Sequence, residues 1–270
     1  ANNYGSPLGN SELVCGKIIR EELPRDELII SSKAGYRMWP GPYGEWLSKK
    51  YIVASCDQSL KRMGLDYFDI FYLHRPDPET PLEESLGALD QLIRQGKVLY
   101  GGVSSFSGAH FAESVRICER HDWAPVTIHQ PSYSMLNRRI ETDLLSQTER
   151  AGTGVIAFSP LSSGVLTDKY LSGDIPEDSR AALSWGEDNA RSRLTSERLQ
   201  ILRGLNDVAQ RRGQSLAQMA LAWVLRLPTI TSALIGASRV GQIEENVAAL
   251  ENLEFSPEEL AEIDALVAPR

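Results

Sequence analysis

Cysteine is scarce in this chain. Only Cys15, Cys56 and Cys118 occur in 270 residues, far apart and with no C-x-x-C pair. That argues against a disulfide framework and a cysteine zinc site, fits a reducing cytoplasmic compartment, and predicts three buried structural thiols. Positive charge is also in deficit, with 28 Lys and Arg against 36 Asp and Glu for a formal net charge of -8. Nucleic acid is a poor partner for such a surface, because phosphate binding wants a basic face. No apolar run approaches the roughly 18 residues a membrane span requires, and no signal peptide is visible. No His/Asp/Glu spacing reads as a metal site. The glycine-rich G-x-G-x-x-G turn of a dinucleotide-binding doubly wound sheet is missing as well.

What is present is alternation. Short apolar runs, "ELIISS" (27–32), "YFDIFYLH", "KVLYGGVSS", "PVTIHQ", "GVIAFSP" and "TSALIGAS", alternate with amphipathic helical patterns. The helices are punctuated by Gly64 and Gly96 at their ends and by capping boxes at Thr80/Glu83, Ser215/Gln218 and Ser256/Glu259. Uninterrupted apolar strands alternating with helices mean a parallel sheet covered by helices. No linker or composition shift divides the chain, so residues 1–270 read as one domain. With the doubly wound fingerprint absent, the α/β class expected is the (β/α)₈ TIM-type barrel. Six strands are countable, roughly 28–32, 67–73, 98–103, 125–129, 154–158 and 231–236. Two of the eight would then precede residue 1, and "ANNYG" would be the loop leaving the second of them. The polar stretch 171–195 reads as a long loop, of the kind that serves as a lid or binding segment.

In such barrels the chemistry gathers at the C-terminal strand ends. Lys33 ends the first run, His74 the next, and Tyr4 follows the missing strand before them. Ser104 and Ser105, Gln130, and Phe158 with Ser159 end the following three. A Tyr phenol, with an ordinary pKa near 10, becomes a usable acid when a Lys ammonium stabilises its phenolate, and a His beside it orients the substrate oxygen. His129 reads as structural, and His110 and His121 as solvent-facing. An unrelated barrel lyase or hydrolase would want strand-end carboxylate pairs, which are not seen.

With these residues in view the chain resembles the aldo-keto reductases along its whole length. "ANNYG" looks like the family's D-x-A-x-x-Y-G without its Asp, and "SSKAG", "FYLHRPD", "GGVSS", "HQPSYS", "FSPLSSGVLTDKY" and "LIGASRVGQIEEN" match its remaining blocks in order. The branch it most resembles holds the bacterial L-glyceraldehyde 3-phosphate (methylglyoxal) reductases and the potassium-channel β subunits. The resemblance implies an Asp-Tyr-Lys-His tetrad, of which Tyr4 maps as acid, Lys33 as its pKa-lowering partner and His74 as orienter. The Asp would stand two residues before Ala1.

It further implies NADPH. Ser104, Ser105 and Gln130 would hold the nicotinamide carboxamide, although the family usually has Asn where Ser105 stands, and Phe158 would stack on the ring. Ser159, Leu161, Gly164 and Lys169 would take the pyrophosphate, with Arg180 folding over it. Gly236, Ser238, Arg239, Gln242, Glu245 and Asn246 would take the adenosine end, Ser238 and Arg239 suiting a 2′-phosphate. Trp39, Tyr43 and Arg138 are candidate substrate contacts for a small carbonyl such as a triose phosphate or methylglyoxal. The expected activity is NADPH-dependent reduction of aldehydes or ketones to alcohols by a cytoplasmic homo-oligomer, a tetramer or octamer. The alternative is a nucleotide-binding regulatory subunit of the channel type.

Overall fold

Six strands are hydrogen-bonded to their neighbours in chain order, β1 (Ser31–Ala34), β2 (Phe68–Leu73), β3 (Val98–Ser104), β4 (Val126–Gln130), β5 (Gly154–Phe158) and β6 (Ile230–Leu234). The computed structural model describes residues 1–177, 179, 181–185 and 187–268. They fall into two compact units, Ala1–Pro131 with Ile140–Val155, and Ser132–Arg139 with Ile156–Arg270.

In the first unit β1 to β4 pair in parallel, with Lys33 opposite Tyr72, Leu73 opposite Val103 and Ser104 opposite Gln130. Strands so paired with no offset by chain order must be linked by crossovers, and helices supply them. These are α1 (Asn10–Glu22) ahead of β1, then α2 (Lys49–Met63), α3 (Leu82–Arg94), α4 (Gly108–His121) and α5 (Leu144–Arg150). The core is the apolar filling between sheet and helices, with Phe68, Phe71, Leu73, Leu92, Val103 and Phe111 almost fully buried. Each such side chain contributes about 1.5–3 kcal/mol. Ser48 and Ser107 cap α2 and α4, and Gly64 ends α2 at φ 63, a left-handed position that Gly occupies without strain.

The second unit holds α6 (Glu187–Arg193), α7 (Ser196–Arg211), α8 (Leu216–Leu225), α9 (Val240–Val247) and α10 (Pro257–Val267). Helix α8 is apolar nearly all round and is correspondingly buried, from Leu216 to Val224, around Trp223. Both capping boxes expected here form, at Ser215 with Gln218 and at Ser256 with Glu259.

Several expectations shift. The ladder of β1 starts at Ser31, and Ile30 meets β2 through its carbonyl, which accepts from Asp69 N–H at 3.0 Å, while its own N–H donates to the Asp69 carboxylate at 2.7 Å and Arg25 donates to the Leu28 carbonyl at 3.0 Å. Thr80 does not cap α3, whose first turn follows Pro81; its N–H, with that of Glu79, goes to Asp77. Cys56 and Cys118 are buried, but Cys15 is exposed on the outer side of α1. The stretch 171–195 contains a π-helical turn, Ala181–Trp185, and α6. They are anchored on buried Tyr170, with Ala181, Ala190 and the partly buried Leu194 packed around it.

Candidate active site

Strand ends bring three of the expected residues together in the first unit. Lys33 is the third residue of β1, and His74 follows β2 directly, its N–H donating to the Ala34 carbonyl at 2.9 Å. Asn2 N–H donates to the Lys33 carbonyl at 3.0 Å and so draws the opening turn, with Tyr4, to the same end of β1. The Tyr4 hydroxyl lies 3.5 Å from Nε2 of His74, the rings meeting edge to face at 5.7 Å and 76°. Lys33 Nζ stands 5.7 Å from the Tyr4 ring centroid and 5.4 Å from that of Tyr72. A second aromatic, Tyr36, presses edge-on against His74 at 4.7 Å and 83°.

Burial dominates the electrostatics. It pushes His74 down to about 3, with Lys33 adding to the effect, so the imidazole is neutral throughout the physiological range. It likewise pulls Lys33 down to about 8. The Tyr4 phenol is held above its ordinary 10.0 by burial and then by Tyr36. The expected lowering by Lys33 is therefore outweighed: the ammonium faces the Tyr4 ring and is itself weakened by desolvation. Tyr4 keeps its proton at neutral pH, as a donor must. His74 Nδ1 is buried with no hydrogen-bond partner among the described residues.

At the next strand ends Ser104 Oγ donates to the Gln130 carbonyl at 2.8 Å, and Ser105 N–H to the same oxygen at 3.2 Å. Ser105 sits at φ 60, a left-handed residue that turns its side chain outward. His129 is fully buried with its Nε2 against the Phe106 carbonyl, and His110 and His121 are exposed. Trp39 and Tyr43 lie in the loop between β1 and α2; the former packs on Tyr51 at 5.2 Å and the latter beneath Lys50 at 4.5 Å.

The second unit contains a cavity of about 520 Å³. Of the residues assigned to a dinucleotide, Ser159, Leu161, Gly164, Lys169, Gly236, Ser238, Gln242, Glu245 and Asn246 line it; Phe158 and Arg239 do not. Ser159, Ser162, Ser163 and Gly164 all adopt positive φ, which curls the Ser159–Gly164 loop so that its backbone borders the cavity. A Cβ built at Gly164 or Gly236 would meet nothing within 4 Å, which leaves open space beside both backbones. Lys169 supplies positive charge, and Glu245 is held by the Ser215 hydroxyl at 2.8 Å. Its size suits a nucleotide, and its ionisable lining sets the Lys169 ammonium beside the carboxylates of Asp168 and Glu245. Phe158 ends β5, its carbonyl accepting from Tyr133 N–H at 3.2 Å. Arg138 Nη1 donates to Asp264 at 2.5 Å, with its guanidinium 5.1 Å from the Trp223 ring. Arg180 lies outside the described residues. Among the described residues no His/Cys/Asp/Glu group suits a metal, and no helix is long and apolar enough to cross a membrane.

Two residues at the site escape a reading confined to strand ends. Tyr36 sits in the apolar-aromatic "AGYRMWPGPYGEW" loop, and Arg75 is the residue after His74; the only sequence signal is their adjacency to Lys33 and His74.

The chain belongs to the aldo/keto reductase family, whose model matches residues 1–268. It is 53% identical over 274 residues to an L-glyceraldehyde 3-phosphate reductase of Escherichia coli O157:H7, covering 99% of this chain and 78% of that protein. It is 39% identical over 247 residues to a probable voltage-gated potassium channel subunit beta of Arabidopsis thaliana (90% and 74%), and 37% identical over 268 residues to a putative one of Schizosaccharomyces pombe (96% and 77%).

Proposed function

We infer that this chain, an oxidoreductase of the aldo/keto reductase family with the alternating parallel strands and helices of the α/β TIM-barrel class, works as an aldehyde reductase. We propose that it reduces small aldehydes with NADPH, a triose phosphate or methylglyoxal being the substrate class suggested by the likeness to a protein named L-glyceraldehyde 3-phosphate reductase. The observation that carries this reading is the Tyr4 hydroxyl at 3.5 Å from Nε2 of a neutral, buried His74, with Lys33 beside them. When bound, the dinucleotide supplies a hydride from its nicotinamide. Tyr4 gives its phenolic proton to the carbonyl oxygen as negative charge develops there. Neutral His74 holds that oxygen by hydrogen bonding, and the Lys33 charge stabilises the phenolate left behind. The 3.5 Å separation is long for a hydrogen bond, and it lets a substrate oxygen beside the pair lie about 2.8 Å from both the phenol and the imidazole.

Ser104, Ser105 and Gln130 are assigned to the nicotinamide carboxamide and Phe158 to its ring. The loop from Ser159 to Lys169 is assigned to the pyrophosphate, and Ser238, Arg239, Gln242, Glu245 and Asn246 to the adenosine end. Ser238 and Arg239 favour a 2′-phosphate and hence NADPH. Trp39, Tyr43 and Arg138 are proposed substrate contacts.

A second reading, a nucleotide-binding regulatory subunit, is favoured by the likeness to proteins named as potassium channel β subunits. NADPH oxidation followed at 340 nm with methylglyoxal, glyceraldehyde 3-phosphate and 4-nitrobenzaldehyde separates the two. Turnover with at least one carbonyl is expected. Tight NADPH binding with no turnover on any would favour the regulatory subunit.

A further inference from the structure

Four contacts converge on Arg75, the residue after His74. Its Nε donates to the Gly35 carbonyl at 3.1 Å and its Nη2 to Glu45 at 2.5 Å. Its guanidinium lies 4.0 Å from the Tyr36 ring centroid and 3.8 Å from that of Trp46. One cation in contact with both aromatic rings thus ties together the two ends of the 35–46 loop. Trp46 itself adopts φ 69, with its N–H donating to Gly35 at 3.2 Å. An aromatic residue stays in the left-handed region only where its surroundings over-determine it, and such places cluster at functional sites.

What the loop delivers is Tyr36. Its carbonyl accepts from the Tyr51 hydroxyl, and its ring stands edge-on to His74 while remaining 38% exposed. The imidazole depends on such a neighbour. A working histidine usually has its second ring nitrogen tied to an acceptor that sets the ring's orientation. Here Nδ1 has no partner among the described residues, so the aim of Nε2 at Tyr4 rests on packing.

We propose that Arg75 is a positioning residue: by clamping the 35–46 loop it holds the Tyr36 ring against His74, and that ring keeps Nε2 directed at the Tyr4 hydroxyl. The proposal rests on the reading of Tyr4 as acid and His74 as orienter. It deepens that reading by naming what fixes the pair.

The test compares steady-state reduction of 4-nitrobenzaldehyde by the full-length protein and its Tyr36→Ala, Tyr36→Phe, Arg75→Met, Tyr36→Ala/Arg75→Met and Tyr4→Phe variants, with NADPH affinity measured by fluorescence. Tyr36→Ala and Arg75→Met should each lower kcat by roughly tenfold or more, the scale of a small misalignment at the reacting atoms. NADPH affinity should stay within about twofold, which marks lost positioning and not lost binding. The double variant should be no slower than Tyr36→Ala alone, since Arg75 acts only through that ring. Tyr36→Phe, which keeps the ring, should recover most of the turnover. Undiminished kcat in Tyr36→Ala, or additive losses in the double variant, would overturn the proposal. Tyr36 is exposed enough for Tyr36→Ala to decide the matter if Arg75→Met does not fold. Full turnover in Tyr4→Phe would overturn the acid assignment and this proposal with it. An inactive Tyr4→Phe beside an unimpaired Tyr36→Ala would overturn the proposal alone.

Discussion

A histidine that must orient a carbonyl oxygen works best neutral, and His74 is kept so by its surroundings. Burial and the neighbouring Lys33 charge both disfavour the imidazolium, setting its pKa at about 3 against an ordinary 6.5. Ring ¹⁵N resonances of His74 should therefore show the neutral form from pH 7 down to pH 5. A titration midpoint near 6.5 would contradict this. The same shift has a sign for stability. Between about pH 6.5 and 3 the unfolded chain binds a proton at this position that the folded chain refuses, so stability falls as the pH drops through that window. Replacing His74 with Gln removes that share of the acid sensitivity, measurable as a flatter dependence of the urea midpoint on pH. Lys33 and His74 were legible in the sequence because each lies at the end of an apolar run, and Tyr4 because it stands in the "ANNYG" block. Tyr36 and Arg75 were not, because an aromatic loop and a surface-type cation carry no periodic signal, and their value appears only once the loop folds back on β2.

Among the elements, α1 is the least legible and one of the most tightly held. Its sequence offers no side-chain cap, since Gly9 precedes it at φ 87, and Leu13, Val14 and Ile18 remain about half exposed, so that Ile19 alone of its large apolar residues reaches the core. What seats it is polar. Glu12 is buried, receiving the Ser32 hydroxyl at 2.5 Å and Arg62 of α2 at 2.7 Å. Removing one partner of such a pair leaves an uncompensated charge, so Glu12→Ala should lower unfolding free energy by about 3–5 kcal/mol. Gly16 lets the helices touch: a Cβ there would meet the Met63 carbonyl oxygen at 2.4 Å. Gly16→Ala should destabilise by about 1–3 kcal/mol through forced separation of α1 and α2. Chemical denaturation checks both, and a change under about 0.5 kcal/mol in either, the range of an ordinary surface substitution, would contradict the packing described. The capping boxes of α8 and α10, in contrast, were readable residue by residue, since Ser215 with Gln218, and Ser256 with Pro257 and Glu259, act within one turn.

For the whole molecule, the order of β and α segments and the six strands were visible from apolar runs alone. The start of β1 moved to Ser31, next to the Ile30 N–H that the Asp69 carboxylate takes. The cavity of the second unit was legible only in part: its Ser/Gly loop is a weak signal alone, and its shape comes from consecutive positive-φ residues that sequence spacing does not announce. In the proposed mechanism one phenolic proton separates a reductase from a protein that only holds the dinucleotide. Single-turnover oxidation of bound NADPH by an aldehyde, in the full-length protein and in Tyr4→Phe, measures that proton's share. The rate should be lower by roughly 10²–10⁴ in Tyr4→Phe with NADPH affinity retained. A Tyr4→Phe rate within a few-fold of the parent would contradict it and place the proton donor elsewhere.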